Sequence, residues 1–378
     1  MNIDEYYKDR DRIKPDSDAL KKCTFERDLV KDKLSFVVPF ARAKSTEGHH
    51  NDTDNSCDAS ESTRLKIMIL SLIKHFNIED LCEFFIITPP KDIHHAEEIL
   101  RSITTDERFK VHSELDLCPE FNMYSVLKSS KISDLRQNLK FLYRYNKRLK
   151  IVKAKGRIGW QKQQLVKLAA HNLIRSTNYM TLDADVVCIR KFSLKDVILQ
   201  GKALTQVEQI GDYVNLYHPF YAAIQYQVKA KRYFHAFNIL QFDRPSEYKY
   251  RIYSETPVIM NTKGVSMMTQ YIENKFGLGW RKYLLKNFDS WTEYPLYFLF
   301  LEGTDLFDQM YSVTPENKLW DLNKSLWVRD YYYKEKRSLD NIEEYLNDVK
   351  GYFIVLQTGW GVKSGNFFEK IAKKIREL

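Results

Sequence analysis

An α/β fold with a mostly parallel sheet flanked by helices is predicted by two features of this sequence. The first is the alternation of strand-like and helix-like segments over the first 120 residues. The segments are, in order, KLSFVVPFARAK, RLKIMILSLIKHF, CEFFIITPP, IHHAEEILRSI and FKVHSELDL. The second is that the strands are continuous apolar runs, such as Leu34 to Phe40, which is typical of strands buried on both faces. A strand–helix–strand alternation of this kind predicts a parallel sheet.

The rest of the chain predicts an aromatic-rich helical half. YHPFYAAIQYQVKAKRYFHAF and WTEYPLYFLFLEG read as helices, GYFIVLQTGW as a late strand, and NFFEKIAKKIREL as an amphipathic basic helix. We therefore predict a charged arm at 1–33, a ligand-binding half at 34–200 with a flexible polar loop at 44–63, a second half at 201–365, and a terminal helix at 366–378.

The positive charge of the chain is concentrated in one segment. The net charge is +9, and residues 135–182 contain 12 Lys and Arg but no acidic residue. A solvated basic face is one reading of such a run, and a surface that meets an anionic ligand is the other. The acidic motif that follows the segment favours the second reading.

Several classes of protein are excluded by the composition. The five cysteines are widely spaced and form no C-x-x-C pair, which argues against a disulfide framework or a zinc site. The polar N-terminus is unlike a signal peptide, and no apolar run reaches the 18–20 residues or so that a membrane span needs. We expect a soluble, cytoplasmic protein with no transmembrane segment, with peripheral membrane contact left open.

Two carboxylates at the end of a strand mark the candidate site. The amphipathic helix QKQQLVKLAAHNLI leads through a short turn into the strand YMTLD, and Asp183 and Asp185 follow in the sequence LDAD. Ligands in α/β sheets bind at the carboxyl ends of strands, and Mg²⁺ and Mn²⁺ favour carboxylate oxygens together with substrate phosphates. We predict a metal site here, the alternative being a turn with one capping aspartate.

The block from Trp160 to Asp185 resembles a known group of proteins. NYMTLDADVVCIRKF is similar to the strand and D-x-D motif of nucleotide-sugar glycosyltransferases with the GT-A fold. GWQKQQLVKL ahead of LDAD resembles an uncharacterised glycosyltransferase-like family, a domain of unknown function, as do YSETPVIMNTKGV and WTEYPLYFLFLE. The resemblance covers about residues 34–310. Relatives often carry a pair of histidines near YSETPVIMN, where this chain has Pro257 and Val258.

The resemblance implies transfer of a sugar from a nucleotide-diphosphate sugar to the hydroxyl of a glycan or glycoconjugate, assisted by Mn²⁺ or Mg²⁺. The first half would then bind the donor and the second half the acceptor. Asp185 would be the main metal ligand, with Asp183 at the metal or the donor ribose, and Gln357 or a water as a third ligand. The other implied donor-binding residues are Arg42 and Lys44 at the base, Gln163, Gln164 and Lys167 at the sugar or diphosphate, and Lys363 at the diphosphate. Lys167 lies off the apolar face of its helix, which would leave it free to point at a ligand.

Transfer with inversion of configuration needs a general base near the acceptor hydroxyl. Glu293 is the first candidate because it lies between Trp291 and Tyr294, rings that could form a wall against a sugar. Glu255 is the second candidate and Asp212 the third. The alternative for Glu293 is a buried acid bonded to backbone donors or a charge at a helix N-terminus. A retaining enzyme would need no such base, and Glu293 would then orient the acceptor.

Two other functions stay open. A metal-dependent nucleotidyltransferase or phosphohydrolase would also use Asp183 and Asp185, but such enzymes commonly place glycines after the first strand, and VVPFARAKST has none. A non-catalytic protein that binds RNA or anionic glycans through the basic segment would bind in a strongly salt-dependent way. No nucleic-acid partner is expected under the leading reading.

Overall fold

The computed structural model describes residues 14–42, 56–122, 143, 158–208, 210–243, 252–253, 255–287, 291–313, 319–321, 325, 349–356 and 373, with the side chains of 56–60 and 210–212 left out. The strands are β1 Val30–Pro39, β2 Leu81–Thr88, β3 Phe109–Ser113, β4 Ser176–Thr181, β5 Val186–Cys188, β6 Ile198–Leu199, β7 Lys202–Thr205, β8 Val207–Glu208, β9 Ile252–Tyr253, β10 Val258–Asn261, β11 Tyr311–Val313 and β12 Phe353–Val355.

The described helices are α1 Ser17–Lys21, α2 Ser56–His75, α3 Ile93–Arg101, α4 Glu114–Leu117, α5 Ile158–Ala169, α6 Leu194–Val197, α7 Ile210–Leu216, α8 Pro219–Leu240, α9 Thr262–Phe276, α10 Trp280–Lys286, α11 Glu293–Gly303 and α12 Phe307–Met310.

The central sheet has the strand order β10-β4-β1-β2-β3. Its first four strands along the chain are parallel, and β10 pairs with β4 in the antiparallel direction. Helix α5 contacts β1, and α9 contacts β4 and β10. The predicted α/β fold, a mostly parallel sheet flanked by helices, is confirmed.

The strands form because their apolar runs are buried. Leu34, Phe36 and Val37 of β1 are paired with both β2 and β4, and every residue from Leu34 to Pro39 is buried. β2 is buried along almost its whole length. A central parallel strand is covered on both faces, which explains why the two strands lack polar alternation.

Three boundaries differ from the sequence prediction. β3 stops at Ser113 because the Ser113 hydroxyl accepts a hydrogen bond from the Leu115 amide at 3.1 Å and begins α4, so FKVHSELDL is only half strand. Helix α2 begins at Ser56, inside the segment predicted as a loop. β1 begins at Val30, inside the predicted N-terminal arm.

The second half of the chain contains the two aromatic helices that were predicted, α8 and α11. Every residue of α11 is buried. The predicted late strand is β12, which pairs with β5 directly after the acidic motif. Of the predicted terminal helix, only Lys373 is among the described residues.

No helix in the described ranges is both long enough and apolar enough to cross a membrane.

Candidate functional site

The site lies at the carboxyl end of β4, where three segments meet. The amide of Leu182 donates to the carbonyl of Val37 at 2.9 Å, which keeps the chain in the sheet for one residue beyond β4. The following amide, that of Asp183, donates to Thr256 Oγ1 at 3.0 Å. Because β10 runs antiparallel to β4, the residues before β10 reach this same edge of the sheet. The backbone of Asp183 is therefore held by a loop from the second half of the chain.

A buried lysine holds the side chain of Asp183. Lys167 Nζ lies 2.8 Å from Asp183 Oδ1 and 3.1 Å from Glu293 Oε1. The side chains of Lys167 and Glu293 are each 2% exposed, whereas that of Asp183 is 34% exposed. Of the three groups, only Asp183 therefore presents substantial surface to a ligand.

Hydroxyl groups complete the surroundings of the lysine. Lys167 Nζ also donates to the Tyr294 hydroxyl at 3.1 Å, and that hydroxyl is bonded to Thr181 Oγ1 at 2.9 Å. The Tyr179 hydroxyl donates to the Lys167 carbonyl at 3.1 Å. Residues from β4 and α11 thus fix the lysine on α5 in place.

The charges of this cluster stabilise one another. Burial acts to lower the pKa of Lys167, but Asp183, Tyr294 and Glu293 outweigh it and raise that pKa well above its usual value. Burial raises the pKa of Glu293, and the ammonium group of Lys167 partly counteracts this rise. Lys167 therefore stays protonated and keeps a positive charge beneath Asp183.

Asp185 supplies a second carboxylate that lacks a full set of partners. Its Oδ1 atom is buried and has no hydrogen-bond partner within the described part of the chain. Burial and the nearby charge of Asp183 raise the pKa of Asp185 to about 7. The Leu356 amide donates to the Asp185 carbonyl at 2.9 Å, so β12 fixes the turn that carries this side chain.

These two carboxylates fit a divalent cation. A buried carboxylate oxygen without a donor is costly unless a cation or a proton satisfies it. Among the described residues, no group of three or more His, Cys, Asp and Glu side chains is arranged to hold a metal. A metal at Asp183 and Asp185 would thus depend on substrate phosphates and water for its remaining ligands, as is common for Mg²⁺.

The structure corrects the prediction for Lys167. It is not free to meet a ligand, because its charge is already shared between Asp183 and Glu293 in a buried cluster. Gln164 is also buried, and its Nε2 donates to the Trp160 carbonyl at 3.1 Å. Gln163 lies on the same helix and is half-buried.

The aromatic wall that was predicted around Glu293 is part of the core. Trp291 and Tyr294 are both buried, and Trp291 Nε1 donates to the Leu284 carbonyl at 2.9 Å. Neither ring presents a face to a sugar. Glu293 itself is a buried acid at the first residue of α11, as the alternative interpretation of the sequence predicted.

The other predicted site residues are distributed as follows. The amide of Arg42, just beyond β1, donates to Asp92 Oδ2 at 3.3 Å, which places it at the same edge of the sheet as the acidic motif. Glu255 directly precedes Thr256 and forms an ion pair with Arg232. Outside the described residues lie Lys44, Gln357 and Lys363, together with the side chain of Asp212.

Sequence reasoning missed Arg232. Its guanidinium lies 5.7 Å from the centre of the Trp160 ring and pairs with Glu255, so it joins α5 to the loop before β10. No sequence pattern indicates this contact, since Arg232 is 23 residues from Glu255 and lies in an aromatic helix. Trp160 could have been found, because it precedes Gln164 and Lys167 at the i, i+4, i+7 spacing of one helix face.

A family of unknown function, DUF6492, matches residues 31–377. Among solved structures, the chain is similar to mouse xyloside xylosyltransferase 1 in its apo form, with 12% identity and a TM-score of 0.42 over 87% of this chain and 99% of that one. It is also similar to the WbbM bifunctional glycosyltransferase in its apo form, with 8% identity and a TM-score of 0.38 over 92% of this chain and 52% of that one.

A third similar structure is 4-diphosphocytidyl-2C-methyl-D-erythritol synthase from Anaerococcus prevotii, with 12% identity and a TM-score of 0.29 over 73% of this chain and 97% of that one. No curated protein matches the sequence significantly.

Proposed function

This chain belongs to DUF6492, a family of unknown function, and we propose that it is a metal-dependent glycosyltransferase that uses a nucleotide-diphosphate sugar as donor. The observation that carries the proposal is the pair of carboxylates after β4. Asp183 is partly exposed and held from below, and Asp185 has a buried oxygen without a partner in the described residues. The D-x-D motif and the GWQKQQLVKL block add the resemblance in sequence.

In this proposal, Asp183 and Asp185 hold Mn²⁺ or Mg²⁺ through their carboxylate oxygens. When bound, the cation neutralises the diphosphate and stabilises it as a leaving group. Lys167 and Thr256 keep Asp183 in one orientation, so little conformational entropy is lost when a ligand arrives. Glu293 acts as a positioning residue, because it touches Lys167 rather than the open side of the site.

Glu255 becomes the candidate base for an inverting transfer. Its neighbour Thr256 accepts the hydrogen bond of the Asp183 amide, so the backbone of Glu255 is one residue from this contact, and its carboxylate pairs with Arg232. It would take the proton of the acceptor hydroxyl while the acceptor oxygen bonds to the anomeric carbon of the donor sugar and the bond from that carbon to the diphosphate breaks, releasing the nucleoside diphosphate. The acceptor would be a glycan or glycoconjugate hydroxyl.

Thermal unfolding tests the proposal. UDP, GDP, CDP and ADP, and their common sugar conjugates, are each added with MnCl₂ to the wild-type chain and to Asp185→Asn. We expect at least one nucleotide to stabilise the wild type by about 3 kcal/mol at a hundredfold excess over its Kd. In Asp185→Asn that stabilisation should disappear, while the unliganded protein stays folded because a neutral amide replaces an acid of raised pKa.

Asp18→Asn, which changes an exposed acid on α1, is the matched control and should respond to ligands like the wild type. The proposal fails if no nucleotide or nucleotide sugar stabilises the wild type with MnCl₂ or with MgCl₂ in its place, or if Asp185→Asn is stabilised equally. A nucleoside triphosphate that is hydrolysed or joined to a second substrate would instead indicate a nucleotidyltransferase or phosphohydrolase.

A further inference from the structure

Trp160, Arg232 and Glu255 form a rim beside the carboxylate site. The Arg232 guanidinium lies over the Trp160 ring at 5.7 Å from its centre and also pairs with Glu255. Glu255 is joined through Thr256 to the backbone of Asp183. Three segments that are far apart in sequence therefore converge on one edge of the site.

The same rim connects to the site through helix α5. Trp160 and Lys167 are seven residues apart on one face, and Lys167 contacts Asp183. At about 1.5 Å per residue, Trp160 lies about 10 Å along the helix from Lys167.

The Trp160 ring is exposed and is also held in place. It is 37% exposed, whereas its neighbours on the same helix face, Gln164 and Lys167, are buried. Arg232 restrains the ring by a cation–π contact, and Glu255 restrains Arg232 by an ion pair. A rigid ring that is already oriented loses little entropy when a ligand packs on it.

The chemistry of these three side chains suits a pyranose. The apolar face of a sugar ring packs on an aromatic side chain, and its hydroxyls need fixed hydrogen-bond donors and acceptors at the ring edge. The Arg232 guanidinium supplies planar donors, and the Glu255 carboxylate supplies acceptors. A simple anion would make no use of the apolar face of Trp160, and a purely apolar ligand would form no hydrogen bonds with Arg232 or Glu255.

We infer that the Trp160–Arg232–Glu255 rim is a pyranose-binding subsite that receives the acceptor sugar. Its identification as a sugar site rests on the rim itself, whereas its identification as the acceptor side rests on the proposed function. The sugar would pack on Trp160 with a hydroxyl directed at Glu255.

Saturation-transfer NMR on the full chain tests the subsite. The probes are the methyl α- and β-pyranosides of glucose, galactose, mannose and xylose at millimolar concentration. We expect ring-proton signals from at least one of them with the wild type, a reduction of at least fivefold in Trp160→Ala, and an intermediate signal in Trp160→Phe. Phe220→Ala removes another exposed aromatic side chain on α8 and should leave the signals unchanged.

Folding of the variants is checked by thermal unfolding without ligand, in which Trp160→Ala should keep a single cooperative transition. Absence of any pyranoside signal from the wild type, or equal signals from wild type and Trp160→Ala, would overturn the subsite. If the wild type binds a pyranoside but no nucleotide stabilises it, the proposed function is wrong and the sugar-binding subsite is still supported.

The donor sugar is the other possible occupant, and a second measurement separates it. If Trp160→Ala weakens binding of a nucleotide sugar fivefold or more but not that of the matching nucleoside diphosphate, the ring holds the donor and the acceptor assignment is wrong. We expect both affinities to be unchanged within twofold.

Discussion

At the residue scale, the site depends on the buried positive charge of Lys167, which a bound ligand would not contact. Lys167 is buried between Asp183 and Glu293, and the carboxylates of these two residues compensate its positive charge. A single buried charge without partners is costly, whereas a hydrogen-bonded cluster is tolerated. The lysine therefore determines the orientation of Asp183 as much as the strand before it does.

Lys167→Met should destabilise the fold by about 3–5 kcal/mol, because it leaves Glu293 buried without its cation. The double variant Lys167→Met with Glu293→Gln should lose less than the single variant, since the uncompensated carboxylate is gone. Denaturant unfolding measures both. Lys162→Met is the control on the same helix, where a partly exposed pair with Glu114 should cost no more than about 1 kcal/mol. Additive losses would contradict this account of the cluster.

His171 makes the stability of the protein depend on pH. Burial lowers its pKa from 6.5 to about 4, so the unfolded chain binds a proton between these values that the folded chain does not. The stability due to the neutral ring is complete above about pH 6.5 and is lost as the pH falls towards 4. At about 1.4 kcal/mol per pKa unit, the loss is about 3 kcal/mol.

His171→Gln should remove this part of the acid destabilisation. Chemical denaturation at pH 6.5 and pH 4.5 compares the wild type, His171→Gln and the control His94→Gln, whose side chain is 80% exposed. The wild type and the control should lose the same free energy, and His171→Gln should lose less. An identical loss in all three proteins would show that His171 does not titrate as described.

At the element scale, the start of α9 is fixed by close packing against α11. Asn261 Oδ1 accepts a hydrogen bond from the Gly264 amide at 3.1 Å and caps the helix. A Cβ atom at Gly264 would lie 2.9 Å from the Tyr297 hydroxyl, which is itself held by the Asn261 amide and by Tyr311. Gly264 is needed here because α11 lies too close for any side chain.

Gly264→Ala should destabilise the protein by about 1–3 kcal/mol through overpacking, although alanine favours helix. Gly159→Ala in α5 is the matched control, because among the described residues no atom other than its chain neighbours and its own helix backbone lies within 4 Å of the added Cβ. That control should be neutral or slightly stabilising. Thermal unfolding of the two variants decides the matter, and equal changes in Tm would refute a role for the α9–α11 contact.

The elements of the site also show what a sequence can predict. The strand YMTLD, the helix before it and the acids after it were all predicted, because each is encoded within a few neighbouring residues by periodicity and turn chemistry. The partners of those residues were not predicted. Glu293 is 126 residues from Lys167, and no local sequence pattern indicates that the two side chains are in contact.

At the scale of the whole molecule, the two predicted halves share one sheet. β10 comes from the second half and forms the edge next to β4, and Thr256 just before it holds Asp183. The donor half that the sequence predicted is thus completed by residues beyond position 250. A site built in this way requires the two halves to fold as a unit.

Ile259→Ala in β10 should therefore destabilise the first half as well, by about 2–5 kcal/mol, since Ile259 is fully buried against β4. Hydrogen exchange of the β1 and β2 amides reports this directly, and we expect their opening free energies to fall with that of β10. Val313→Ala, at a more exposed strand position, is the control and should change them by less than about 1 kcal/mol. Unchanged protection of β1 and β2 would show independent halves.

The sequence by itself determined the α/β class, the strand that carries the acidic motif and the position of two carboxylates just after that strand. These follow from local periodicity and from residue types a few positions apart. Only the tertiary structure decided that Lys167 is a buried partner of Asp183, that Trp291 and Tyr294 are core, and that Arg232 joins Trp160 to Glu255. The physical reason is that burial and charge pairing depend on neighbours brought together by folding, and those neighbours are more than a hundred residues apart for Lys167 and Glu293.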